Sequence, residues 1–213
     1  MILLAIDTSS ELSGLALVQH HTVLAQIQWA SARRHSEQLL PQLDILCRRN
    51  NVAPSRITTV AVSLGPGSWS GVRVGISMAK GLALANDATI IGVSALDALA
   101  WQWRGIKAIT ACLALGRGHY AVAYYPDIRW LPGNIQPYNM SLSQLTSIDA
   151  TSICCDDVVW EQIRPDLPIH TIHLPTVTPP AIIAQIALTI GGNAPSIIEP
   201  LYLGDAVITQ KHL

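Results

Sequence analysis

The sequence predicts an α/β fold, a mixed β-sheet with helices packed against it, and three features carry that expectation. Over residues 1–103 the hydrophobic pattern runs β-β-β-α-β-α-β-α. A Gly65-Pro66-Gly67 turn joins a short apolar run to a helix striped with small residues. After Gly105 the pattern starts again in shorter and less regular pieces, which divides the chain into residues 1–105 and a smaller, divergent second subdomain, 106–213.

Taken in order, Ile2–Asp7 is an apolar strand ending in Asp7-Thr8-Ser9-Ser10. Leu12–Val18 and Thr22–Trp29 are strands joined at His20-His21, a hairpin. His35–Asn50 is an amphipathic helix with Leu39, Leu43 and Leu46 on one face; Ser36 is a plausible cap, and Pro41 should delay or kink the helix. Ile57–Leu64 is the fourth strand and leads into the Gly-Pro-Gly turn. Ser68 or Ser70 can cap the helix that follows, in which Gly71, Gly75, Ala79 and Ala83 recur every four residues. A helical glycine costs about 1 kcal/mol relative to alanine, so such a stripe implies the close approach of another backbone. Ala88–Val93 is a fifth strand and Ser94–Trp103 a helix.

In the second half, Ile106–Leu115 and Tyr120–Tyr125 read as a strand pair, and 126–138 as a Pro/Gly/Asn-rich loop. A short helix near Ser141–Leu145, a strand at Ser152–Cys155, a helix at Val158–Ile163 and a strand at Ile169–Leu174 follow. Pro180 opens a helix through Ile190, ended by Gly191-Gly192, and Pro200-Leu201-Tyr202-Leu203 is a last extended piece.

Half of the 213 residues are apolar and 13% are charged, yet no run of eighteen apolar residues suggests a membrane span. The start lacks the basic flank and cleavage site of a signal peptide, and four cysteines without zinc or disulfide spacing fit a reduced cytoplasmic protein. A formal net charge of −1 argues against non-specific nucleic-acid binding by the whole chain. Charge is uneven: residues 1–105 carry eight Lys/Arg against six Asp/Glu, the remainder five against eight. The doublets Arg33-Arg34 and Arg48-Arg49 bracket one helix, as a solvated face or a contact for RNA or an acidic partner.

A strand that ends in a carboxylate and hydroxyls and folds straight into a hairpin opens the actin/Hsp70/sugar-kinase type of ATPase domain. Asp7, Thr8, Ser9, Gly65 and Gly67 are therefore the candidate nucleotide-binding residues, since helix N-termini and glycine turns bind anions. A His-x3-His pair would put two imidazoles on one helix face, a geometry suited to a metal, but the first long helix offers only His35, and His170 and His173 fall on opposite faces of a strand. Ser68 and Ser70 lack a nucleophile-elbow context.

Ile2–Ser10 (I-L-L-A-I-D-T-S-S), His35–Pro41 (H-S-E-Q-L-L-P), Ser63–Lys80 (S-L-G-P-G-S-W-S-G-V-R-V-G-I-S-M-A-K) and Gly92–Ala98 (G-V-S-A-L-D-A) together resemble the TsaB (YeaZ) family. The resemblance is dense over residues 1–103 and thin beyond, where Pro200–Leu203 is similar to the family's C-terminal P-x-Y-L. It implies an actin-like, Hsp70-like (ASKHA) fold of two related halves with the second reduced. It implies a non-catalytic subunit that pairs with TsaD, works with the ATPase TsaE, and supports threonylcarbamoyl transfer to N6 of adenosine 37 in tRNA. The alternatives are an independent actin-like ATPase and a TsaD-like metal-dependent transferase or peptidase. No intrinsic cofactor is implied; ATP or ADP bound in the complex stays open, tRNA is met through the complex, and a homodimer through the same helices is a further option.

The family's pairing surface is its first two long helices. Here these supply His35, Glu37, Leu39, Leu40, Leu43 and Leu46 from the first, and Gly71, Arg73, Val74, Gly75, Met78, Ala79 and Leu82 from the second. On this reading the small-residue stripe admits a partner's helix, Arg73 pairs with a carboxylate of the partner or of the chain itself, and Trp69 packs. Two positions depart from the family: Leu113-Ala114-Leu115-Gly116-Arg117 replaces an Asp-Ala-Arg segment, and Gly204 replaces the usual Arg. Both remove charge from the second half.

Overall fold

The first sheet grows from β1 (Ile2–Asp7), all six residues of which are buried. β2 (Leu12–Gln19) and β3 (Thr22–Ala30) extend it antiparallel on one side, and β4 (Thr59–Ser63) and β5 (Thr89–Val93) extend it parallel on the other, in the order β3-β2-β1-β4-β5. The computed structural model describes residues 1–127, 129–148, 150–191, 198–201 and 203. α1 (His35–Arg49) and α2 (Trp69–Asn86) cover one face of this sheet, where Leu39, Leu43, Leu46, Val72, Ile76 and Ala79 join Leu4, Ile6, Leu15, Leu17, Val60 and Val62 in one core. Burial of β4 on both faces explains why its run shows no polar alternation.

α3 (Ala95–Trp101) leads to a second sheet of β6 (Ile109–Gly116), β7 (His119–Tyr125), β8 (Tyr138–Ser141), β9 (Ser152–Cys155) and β10 (Ile172–Pro175). Its order is β8-β7-β6-β9-β10, antiparallel on the β7 side and parallel on the β9 side. Strand for strand this repeats the first sheet, and the duplicated topology is that of the actin-like α/β fold. The copy is reduced. α4 (Leu142–Thr146) has 5 residues where α1 has 15, and α5 (Asp157–Ile163) has 7 where α2 has 18.

The grouping of residues differs from the sequence's division at 105/106. One unit comprises Met1–Ala95 with Pro179–Leu201, the other Leu96–Thr178 with the residues from Tyr202. The cause is the last helix, α6 (Pro180–Ile190), whose buried Ile183, Ala184, Ile186 and Ala187 face the first sheet. Pro180 packs where Gly14 of β2 leaves room for it, so α6 fills the face that α1 and α2 leave open. In turn, α3 places Leu96, Leu99 and Ala100 among Ile109, Ala111, Ala121 and Ala123 of the second sheet. Each half's last helix covers the other half's sheet. Leu201 donates its N–H to the Leu64 carbonyl (2.9 Å), which ties the C-terminal motif to the end of β4. Tyr202, Gly192, Gly204 and the tail beyond lie outside the described residues.

Local expectations fail at several places, including β6, which starts at Ile109 and not Ile106. α1 begins at His35 with Pro41 inside it, and its N-cap is Arg34 without a side-chain cap, not Ser36. Proline seven residues into a helix forfeits one backbone bond, which the buried leucine face outweighs. β8 has no counterpart in the sequence reading, which ends a loop at Tyr138 and places a helix near Ser141; Tyr138-Asn139-Met140-Ser141 pairs with β7. β10 starts at Ile172 because Thr171 turns back to the Pro168 carbonyl. α3 stops at Trp101, where Trp103 and Arg104 bond the Ala100 and Trp101 carbonyls in a tight turn.

Candidate partner-docking face

The Asp7-Thr8-Ser9 segment, the Gly-Pro-Gly turn and the start of α2 form a single knot. Ser68 caps α2, its hydroxyl accepting from Gly71 N–H (3.3 Å), while its own N–H donates to the Ser9 carbonyl (2.6 Å). Thr8 Oγ1 donates to the Gly71 carbonyl (2.7 Å). A Cβ at Gly67 would overlap the Ser9 carbonyl, one at Gly71 the Thr8 carbonyl, and one at Gly75 the Thr8 hydroxyl. These glycines exist so that α2 can lie directly on the end of β1. Asp7 is enclosed beneath them, its Oδ1 accepting from Ser9 N (2.9 Å) and Ser9 Oγ (2.6 Å). Burial raises its carboxyl above the usual range, partly offset by the bonds from Ser9 and by Ser63. The five residues expected to greet a phosphate are instead engaged within the chain: Asp7 by Ser9, Thr8 by Gly71, Gly67 against Ser9, and Gly65 against Val72 with bonds to Ser63 and Ala95.

This overturns the reading of the small-residue stripe. Gly71, Gly75 and Ala79 are buried, and Gly75 is met by Ile6, Thr8 and Val62. The backbone they admit is the chain's own sheet, because a helix laid on the end of a strand must lose its Cβ atoms there. Leu39, Leu43 and Leu46 are core residues for the same reason, each 2% exposed or less. His35 is buried as well, with Nδ1 2.9 Å from Ser13 Oγ and Nε2 3.4 Å from Ser31 Oγ, and burial lowers its pKa. It ties the β2–β3 hairpin to α1 and is neither a cap nor a surface group. Trp69, expected to pack, is 67% exposed and carries the Arg73 guanidinium 3.4 Å from its ring centroid.

What α1 and α2 turn outward is a different set. A groove of about 410 Å³ runs between them, lined by Ser36, Leu39, Leu40, Arg73, Val74, Ser77 and Met78. Leu40 is 62% exposed on its rim, with Glu37 beside it, while Leu82 and Met78 are half-buried on the edge of the core. Further along α2, Leu84 is 88% exposed. Among the described residues, nothing lies within 4 Å of a would-be Gly81 Cβ. Ser77, Gly81 and Ala85 form a second row at four-residue spacing, all three exposed. The signal that separates the two rows is present in the sequence: Val72, Ile76 and Leu82 flank the first row, so that row is the one facing inward.

Among the described residues, no three His, Cys, Asp or Glu side chains gather as a metal site, and no helix is long and apolar enough to cross a membrane. His173 stacks on Trp160 (4.4 Å) and meets the Cys155 carbonyl (3.2 Å). All four cysteines are free and buried, and burial pushes the Cys155 thiol up to about 12.

The family model for TsaD, tRNA N6-adenosine threonylcarbamoyltransferase, matches residues 22–135, more than half of the chain. The chain is 39% identical over 104 residues to the tRNA threonylcarbamoyladenosine biosynthesis protein TsaB of Bacillus subtilis (strain 168), covering 49% of this chain and 45% of that one. With the TsaB of Escherichia coli (strain K12) it shares 34% over 128 residues, covering 59% and 55%. The chain thus spans about half the length of the curated relatives it matches. YeaZ from Pseudomonas aeruginosa superposes with a TM-score of 0.76 at 21% identity, over 95% of this chain and 99% of that one. The chain belongs to the TsaD family, on its TsaB (YeaZ) branch.

Proposed function

We propose that this chain is a non-catalytic subunit of a tRNA-modifying assembly, one that pairs with a TsaD partner through the outward faces of α1 and α2. The observation that carries the reading is the groove between those helices, apolar and unfilled among the described residues, with Leu40, Val74 and Met78 lining it and the exposed Leu84 and Gly81 on the same helix beyond it. Helices meet closely where small residues remove Cβ atoms, and exposed apolar patches mark association sites. The names of the relatives, which specify threonylcarbamoyladenosine biosynthesis in tRNA, supply the process. Threonylcarbamoyl transfer to N6 of adenosine 37 then belongs to the partner, with TsaE as the assembly's ATPase, in the cytoplasm.

The closed knot at Asp7 and Gly67 supports the absence of ATP turnover by the chain alone; a nucleotide would belong to the assembled complex. Co-expression with the TsaD of the same organism, followed by size exclusion, tests the docking. A 1:1 complex that survives the column and is lost on Leu40→Arg or Gly81→Leu, each with a native circular dichroism spectrum, is the expected result. No complex with or without ATP sinks the proposal. A homodimer of the free chain, broken by the same two variants, would show that copies of the chain share the face.

A further inference from the structure

Just after α3, Arg104 lies against indole rings. Its guanidinium carbon is 3.9 Å from the Trp101 ring centroid and 5.9 Å from that of Trp130. The two indoles meet edge to face with centroids 5.8 Å apart, and Trp130 packs on Tyr125 at 4.5 Å. The loop carrying Trp130 is anchored from below: Asp97 accepts from Tyr125 OH (2.8 Å) and from Gly133 N–H (2.7 Å). A fixed aromatic base therefore holds an arginine that remains exposed, and among the described residues no carboxylate pairs with it. A second donor lies in the same cluster, because the indole N–H of Trp130, a residue only 6% exposed, has no acceptor among the described residues.

The surrounding charge is one-sided. Lys107 follows Arg104 by three residues and Arg129 precedes Trp130, both exposed. Three of the five Lys/Arg described in the second unit therefore lie within three residues of Arg104 or Trp130 in sequence, although residues 106–213 as a whole are acidic. The nearby acid in sequence, Asp127, already accepts the Arg129 backbone N–H (3.2 Å). A stacked guanidinium keeps its in-plane N–H fork available for a phosphate, and lysines beside it add charge without geometry.

We propose that Arg104, Lys107 and Arg129, set on Trp101 and Trp130, form a contact for the phosphate backbone of RNA. Resting on the tRNA-modification reading above, the RNA is tRNA. The net charge of −1 makes this a local grip on a few phosphates and not a general affinity of the chain.

The test uses the full chain alone, with unmodified tRNA in a fluorescence anisotropy titration from 30 to about 200 mM salt. That is independent of partner docking, so the two proposals fail separately. Wild type should bind, and the triple change Arg104→Gln, Lys107→Gln, Arg129→Gln should weaken binding about tenfold or more at the lowest salt. The slope of log K against log salt should fall by about two to three, roughly one per phosphate contact removed. Arg104→Lys should keep the slope yet bind several-fold more weakly, because charge is retained and the flat stack lost. A native circular dichroism spectrum of each variant confirms folding. No tRNA binding by wild type at the lowest salt, or an unchanged slope in the triple variant, overturns the proposal. Loss of partner co-purification with tRNA binding intact would assign the cluster to a protein and overturn it as well.

Discussion

The two halves share one strand order and diverge in what they build on it. In the first, 15- and 18-residue helices lie on the sheet, and the strand-end carboxylate Asp7 is sealed beneath the Gly-Pro-Gly turn. In the second, the equivalent helices have 5 and 7 residues, and β6 ends at Gly116-Arg117-Gly118, an exposed hairpin without a carboxylate. Its buried acid is instead Asp97 of α3, which anchors a loop. The first strand end is closed by its own glycines, and the long helices beside it keep an outer groove that no described residue fills. The same strand order therefore carries a closed strand end and long helices in one half, and an open hairpin and short helices in the other.

The sharpest way to break this comparison is Gly75→Leu. If the inner stripe seats α2 on its own sheet, the variant loses on the order of 3 kcal/mol or more and fails to fold cooperatively in a thermal melt. A native melt with lost pairing would return the stripe to the partner. Tyr125→Phe should be milder, at about 1–3 kcal/mol, since it removes a donor from buried Asp97; urea unfolding measures it, and no loss would mean Asp97 anchors nothing.

Asp7→Asn comes next and depends on pH. Folding raises the Asp7 pKa through burial, so the ionised form opposes folding; its protonated form adds stability below the unfolded carboxylate range and that stability is lost as pH rises through the folded value. The variant should therefore melt at or above the wild-type temperature at pH 7, with the gap closing near pH 4. A variant less stable at pH 7 would mean that Asp7 is stabilised as a carboxylate. The smallest effect is Gly81→Ala, which should raise stability by about 0.5–1 kcal/mol because nothing opposes its methyl group, while weakening partner affinity measured by calorimetry.

Hydrophobic period and turn residues determined most of the architecture. β1, β4, α1 and α2 were legible from apolar runs and i, i+4 spacing, and Ser68, one of two cap candidates, is the one the structure uses. The halves' resemblance was legible as a pattern that restarts, though β8 escaped because Asn and Ser hold a strand only when a neighbour supplies the bonds. The candidate site was legible as a pair of helices but not as the right faces. Small residues mark close approach without saying to what, and α2 carries two such rows, one against Ile6, Thr8 and Val62 and one exposed among the described residues. Likewise, Trp130 stands too far in sequence from Trp101 and Arg104 for spacing to join them, and the division into units turned on α6 and α3 crossing to cover each other's sheet. Local preference decides which elements form; which backbone a glycine meets, and which face stays bare, depends on contacts between residues distant in sequence, and those exist only after the sheets are assembled.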